Sequence, residues 1–93
     1  MATGTATLDF GATPGTNHVS VAVTGQGGIG ANDHVEAFMQ GNDSTATHNA
    51  YEHMIVPIRL SVSDIIAGTG FTINAITELR LDGTFKCRWA WSA

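Results

Sequence analysis

The sequence has few charged residues and very few basic ones. Aspartate, glutamate, lysine and arginine make up 13% of its 93 residues, against roughly 25% in an ordinary soluble domain. The formal net charge is −4, and only four residues are lysine or arginine. Because nucleic-acid affinity depends on many basic contacts to phosphates, we expect no nucleic-acid partner.

The sequence also lacks the usual devices that stabilise a small domain. Its single cysteine, Cys87, has no second cysteine with which to form an internal disulfide, and no CxxC or Cys/His cluster is present. A chain of this size buries only roughly two-thirds of the surface that its unfolded form exposes. Together with the low charge, this predicts that much of the surface faces neighbouring subunits or a larger assembly.

Long apolar segments are absent as well. The first ten residues, MATGTATLDF, have neither a basic region nor an apolar core, and the longest apolar run is Met54–Ile58. A secretory signal and a membrane-spanning helix both require longer apolar segments. We therefore expect no signal peptide, no transmembrane segment, no membrane partner, and synthesis in the cytoplasm.

The residues that are present alternate between apolar and polar, which is typical of half-buried β-strands. The C-terminal segment 83–93 alternates most strictly, and its apolar face would carry Phe85, Cys87, Trp89 and Trp91. This strand therefore ends either in the core or in an interface. The same pattern predicts further strands over Thr5–Phe10, His18–Thr24, Asp33–Gln40, Met54–Ser63 and Phe71–Thr77.

Turn residues separate these strands every eight to twelve residues. Between the third and fourth predicted strands, Thr45–Met54 is expected to be a polar loop with one helical turn, capped by Ser44 or Thr45. No amphipathic helix is predicted. The sequence thus indicates an all-β fold, a single domain over residues 1–93 that forms an antiparallel β-sandwich or jelly-roll-like barrel of six to eight short strands.

Several motifs resemble reactive sites but have structural interpretations. Gly25–Gly30 matches GxGxxG, yet the residues that follow alternate like a strand, so a flexible loop is expected rather than a dinucleotide site. His48 and His53 lie five residues apart and have no third ligand at metal-binding spacing. Cys87 falls within a strand, which predicts a buried, inert thiol. We expect no catalytic residues, no metal and no cofactor within the chain, and no enzymatic activity.

The order of three segments resembles that of small virion structural proteins of tailed bacteriophages. These segments are TATLDFGATPGTNHVSVAVTGQGGI, HVEAFMQGNDSTATHNAYEH and AGTGFTINAITELRLDGTFKCRWAW. The resemblance implies a capsid decoration, or cement, subunit made in the host cytoplasm and located in the virion. Its expected partners are copies of itself, as a homotrimer, and the major capsid protein or another virion protein.

This interpretation assigns contacts to two sets of residues. The interface between copies is expected at Leu8, Phe10, Phe85, Trp89 and Trp91, with Thr5–Phe10 as a strand donated to or augmented by a neighbour. A partner-contact loop is expected at Asn42, Asp43, His48, Tyr51 and His53. The alternative is a tail fibre, spike or receptor-binding module, in which this loop and the two tryptophans contact a host glycan.

Overall fold

The computed structural model describes residues 2–92 of the chain, and these form six strands and one short helix. No helix within this range has the length and hydropathy needed to cross a membrane. The elements in chain order are β1 (Ala2–Asp9), β2 (Thr16–Val23), β3 (His34–Phe38), α1 (Ala50–Ile55), β4 (Arg59–Ile66), β5 (Gly70–Leu81) and β6 (Thr84–Ser92).

The strands form two three-stranded antiparallel sheets. The first sheet has the order β1-β6-β3 and the second the order β2-β5-β4. The prediction of an all-β, sandwich-like domain is confirmed. The two longest strands, β5 and β6, occupy the centres of their sheets, whereas β1, β2, β3 and β4 are edge strands.

The core lies between the sheets and comes mainly from the central strands. Phe71, Ile73 and Ala75 project inward from β5, and Phe85, Cys87 and Trp89 project inward from β6. Because a central strand is flanked on both sides, its inward side chains lose almost all contact with water. Inward residues of the edge strands β2, β3 and β4 are only half-buried.

The predicted face of the C-terminal strand is confirmed. Phe85, Cys87 and Trp89 are buried, and the half-buried Trp91 donates a hydrogen bond from Nε1 to Oε1 of Gln26 at 2.9 Å. Burial raises the pKa of the Cys87 thiol to about 11, although nearby backbone hydrogen bonds oppose this rise. The apolar face of this strand therefore packs on the chain's own core, and its last apolar residue, Trp91, lies at the margin of that core.

One predicted strand is partly wrong. Met54 and Ile55 belong to α1, and β4 begins only at Arg59. The cause is a capping box, in which Asn49 accepts a hydrogen bond from the backbone N–H of Glu52 while the Glu52 side chain accepts one from the backbone N–H of Asn49. Asn49, rather than Ser44 or Thr45, is thus the helix cap.

The glycine-rich segment 25–30 is a loop, as predicted. It is followed by β3 rather than by a helix, so the context required for a dinucleotide site is missing. Its one apolar residue, Ile29, is buried and joins the core. The loop closes one end of the sandwich.

Candidate functional site

A long connection, residues 39–58, joins β3 of the first sheet to β4 of the second. We call it the crossing segment; it contains α1 and the whole of the predicted partner-contact loop. Its inner side is bound to β6 by polar side chains. Its outer side carries the most exposed part of the helix.

His48 anchors the crossing segment over the core. Its ring stacks on Phe85 with centroids 3.9 Å apart and an interplanar angle of 16°. Nδ1 lies 2.9 Å from Oε2 of Glu52, and Nε2 lies 2.7 Å from the carbonyl oxygen of Asp82. Both partners are acceptors, so both ring nitrogens must donate, and only the imidazolium form can do so.

The environment of His48 favours that charged form. Burial lowers the pKa of the ring, but the hydrogen bonds to the Asp82 carbonyl and the Glu52 carboxylate, together with the negative charge of Glu52, outweigh it. The net effect raises the pKa of His48 above 6.5. The same contact lowers the pKa of Glu52.

The next anchors take the place of a missing strand. β3 pairs with residues 88–92 of β6. The first residues of β6, 84–87, therefore have no paired strand on the β3 side. There, Nε2 of His53 accepts the backbone N–H of Lys86 at 2.8 Å, and Oγ1 of Thr47 accepts that of Thr84 at 2.8 Å. These two side chains supply the hydrogen-bond acceptors that the backbone of a neighbouring strand would otherwise supply.

Asp43 provides the fourth anchor. Its carboxylate accepts two hydrogen bonds from Arg88, from Nε at 2.9 Å and from Nη2 at 2.6 Å. Through these bonds the guanidinium holds the pKa of the buried Asp43 below its usual value of 3.8, against the opposing effect of burial. This bidentate pair fixes the start of the crossing segment on the outer face of β6.

These anchors revise the predicted partner-contact loop. Asp43 and His53 are buried and His48 is half-buried, and all three are engaged within the chain. Of the five predicted contact residues, only Asn42 and Tyr51 present exposed side chains. The sequence interpretation took polar residues in a loop to be surface residues, whereas most of these bind the loop to its own sheet.

The predicted interface also needs correction. Leu8, Phe10, Phe85 and Trp89 are each 7% exposed or less within the single chain. β1 pairs with β6 of its own chain over eight residue pairs, so it is an edge strand of the chain's own sandwich rather than a donated one. Only the half-buried Trp91 retains partial access to a neighbour.

The largest exposed side chains lie elsewhere. Tyr51, Met54 and Ile55 share one face of α1 and are 62%, 61% and 52% exposed. The chain continues from Ile55 into Val56 and Pro57, which line a groove of about 230 Å³ together with Leu79, itself 78% exposed. We call the set Tyr51, Met54, Ile55 and Leu79 the apolar patch.

Sequence reasoning missed most of the apolar patch because it placed Met54 and Ile55 in a strand. The signal was the asparagine and glutamate spacing of the capping box, N-x-x-E at 49–52, which predicts a helix start just before these residues. Once the segment is helical, Tyr51, Met54 and Ile55 fall at i, i+3 and i+4 on a single face.

The exposed surface of α1 is mainly apolar. Within residues 2–92, no group of three or more histidine, cysteine, aspartate or glutamate side chains is placed to hold a metal ion. The outer side of α1 offers apolar side chains and one phenol hydroxyl. No family model, no curated protein and no solved structure matches this chain.

Proposed function

We propose that this protein is a non-enzymatic structural subunit of a tailed-bacteriophage virion, a decoration or cement protein that binds the particle through the apolar patch. The proposal combines the sequence resemblance with one structural observation. That observation is a set of four large side chains, each more than half exposed, of which three lie on α1 and the fourth, Leu79, lines the groove that Val56 and Pro57 also line. Exposed apolar clusters on a small domain are typical of protein interaction sites.

The anchors of the crossing segment support this role. A surface that docks on a shell must hold its shape before contact, because ordering loops on binding costs free energy. The side chains that bind the segment to β6, among them His48, His53 and Asp43, fix its inner side while its outer side stays exposed. The virion location and the capsid partner belong to this same proposal.

The glycan-binding alternative has less support. This alternative requires Trp89 and Trp91 to form an exposed aromatic platform. Trp89 is only 7% exposed, however, and Trp91 is hydrogen-bonded to Gln26. Its histidine-rich loop has His48 and His53 turned to the inside of the molecule. Tyr51 remains exposed, but within the apolar patch rather than beside a polar groove.

The experiment is an add-back assay with particles that lack this protein. The gene is deleted in the organism that carries it, the particles are purified, and the recombinant protein is added and sedimented with them. We expect saturable co-sedimentation in an amount comparable with that of a major particle protein. Failure of the intact protein to sediment with any particle would overturn the proposal.

Variants locate the contact. Leu79→Lys and Met54→Lys place charge in the apolar patch at positions where a lysine side chain can reach water, so the fold should tolerate them. We expect each to weaken co-sedimentation at least tenfold. Thr3→Lys, on the exposed outer face of β1 and opposite Ala90, is the matched control and should sediment like the unmodified protein.

A further inference from the structure

We propose that the side of the sandwich formed by β3 and β4 binds a second copy of this chain, by antiparallel pairing of β3 with β3 and of β4 with β4. This contact uses a different surface from the apolar patch. It therefore does not depend on the proposed virion role.

The first observation is a gap between the two sheets on this side. It has a volume of about 370 Å³ and is lined by residues of both edge strands, including Val35 and Ala37 from β3 and Leu60 and Val62 from β4. These four inward side chains are only half-buried and pack on the margin of the core. The free backbone edges of both strands border the same gap.

The second observation is that the central part of these edges carries little protection; the bulge of β4 lies beyond it, between Ser63 and Ile66. Natural edge strands usually carry lysine, proline or inward charge that prevents pairing with another sheet. Neither β3 nor β4 contains lysine or proline, and residues 60–63 of β4, Leu-Ser-Val-Ser, carry no charge. Such an edge offers a template for strand addition.

Symmetry decides in favour of a second copy. Both free edges lie on one side of the sandwich, so a two-fold axis perpendicular to the sheets pairs each strand with its own counterpart in antiparallel orientation. The result is a continuous sandwich of two six-stranded sheets. An unrelated partner would have to supply two edge strands at the same spacing.

Charge selects the register of β3. With Val35 opposite Val35 of the second copy, His34 faces Glu36 of the second copy and Glu36 faces His34. These two side chains already lie in contact within one chain, at 2.9 Å between Nε2 and Oε1, and both are well exposed. Centring the pair on Glu36 instead would place two carboxylates directly opposite each other, which is unfavourable.

The same two-fold axis can pair β4 with β4 of the second copy without placing like charges opposite each other. With Ser61 opposite Ser61 of the second copy, the inward residues Leu60 and Val62 face each other. Arg59 then lies opposite Ser63, so no like charges meet. The apolar side chains that now line the gap would become the centre of the joined core.

The test combines solution mass with a covalent probe. Light scattering of the intact protein over a dilution series should give a mass of two chains that falls to one on dilution. In a Ser61→Cys variant, copper–phenanthroline oxidation should join the two new thiols across the axis, because directly opposite residues lie within disulfide range. Cys87 is fully buried and should stay reduced.

The control is Thr7→Cys, which places a thiol on the exposed outer face of β1 at the opposite edge of the first sheet. Ser61→Cys should form covalent dimers at least tenfold faster than this control. Two further variants test the register of the β3 pairing. Glu36→Lys should favour monomers, and His34→Glu combined with Glu36→Lys should restore the dimer.

A mass of one chain at every concentration would overturn the inference, and so would a trimeric mass. Equal cross-linking rates for the two cysteine variants would overturn it as well. None of these results bears on the add-back assay, because that assay reads the apolar patch rather than the β3 and β4 edges. The two proposals can thus fail separately.

Discussion

At the scale of single residues, the two histidines of the crossing segment differ in their hydrogen-bond roles because their partners differ. Nδ1 of His53 donates to the carbonyl oxygen of Asn49, and its Nε2 accepts from the backbone N–H of Lys86. His48 faces two acceptors, which requires the charged ring. One histidine therefore acts as a hydrogen-bond acceptor for the sheet and the other as a cation above Phe85.

The charge on His48 predicts a dependence of stability on pH. Its pKa is raised in the folded state, so its contribution is fully present below the unfolded value of about 6.5 and is lost as the pH rises through the folded pKa. We expect the free energy of unfolding, measured by urea titration, to fall as the pH is raised above about 6.5.

A His48→Gln variant isolates this contribution. Glutamine can keep one of the two hydrogen bonds but carries no titrating charge. We expect the variant to be less stable than the unmodified protein at pH 6 and to show a flatter profile up to pH 8. An unchanged slope in the variant would show that other groups cause the pH dependence.

A second residue-scale prediction concerns Gly4. It lies opposite Trp89 in the pairing of β1 with β6, and a Cβ at Gly4 would come within 2.7 Å of Cε2 of the indole and closer still to Cζ2. Because this ring is packed edge-on against Phe71, with centroids 5.4 Å apart, it has little room to move. We expect Gly4→Ala to lower the free energy of unfolding by about 1–3 kcal/mol.

The matched control for Gly4 is Gly27→Ala. Gly27 has open space around its Cα, and its backbone is outside the left-handed region. Chemical denaturation of both variants checks the prediction. Equal stability of the two would mean that the indole ring can shift without cost.

At the scale of elements, the crossing segment takes over where β3 ends. A strand would satisfy the free side of β6 with backbone groups, whereas here His53 and Thr47 do so with side chains. This arrangement lets the segment turn away from the first sheet, form α1 and reach β4 in the second sheet. As a result, the protection of the β6 backbone amides from hydrogen exchange depends on individual side chains.

Amide exchange tests this dependence. In the unmodified protein the N–H of Lys86 is held by His53, so it should exchange slowly although no strand covers it. In His53→Ala we expect exchange at Lys86 to be at least tenfold faster, while amides of β5 keep their relative protection. His53→Gln, which can supply an oxygen acceptor, should recover part of the protection at Lys86; uniform acceleration across all strands would contradict a local role.

The elements also show how far the sequence could predict this fold. Strands with strict alternation, such as β6 and β2, were predictable because their period matches burial on one face. Met54 and Ile55 were misplaced because short apolar runs do not distinguish strand from helix, and the deciding contact is a local cap at Asn49. The burial of His53 could not be predicted, because its acceptor role depends on where β3 happens to end.

At the scale of the whole molecule, the sandwich divides its surface into two different regions. The crossing segment presents three of the four residues of the apolar patch, and β5 presents the fourth, Leu79, while the β3 and β4 edges leave a gap between the sheets. The sequence predicted association from low charge and small size, and that remains a prediction. Most of the residues that it assigned to an interface lie in the core of the single chain, because strand alternation marks buried faces without distinguishing core from interface.

The central claim is that this module binds a virion through the apolar patch, and the most direct test is electron cryomicroscopy of particles from the organism that carries the gene. We predict density for the two three-stranded sheets on the particle, with Tyr51, Met54, Ile55 and Leu79 against a neighbouring particle protein. Particles without this module, or with the module bound and the patch facing solvent, would contradict the account.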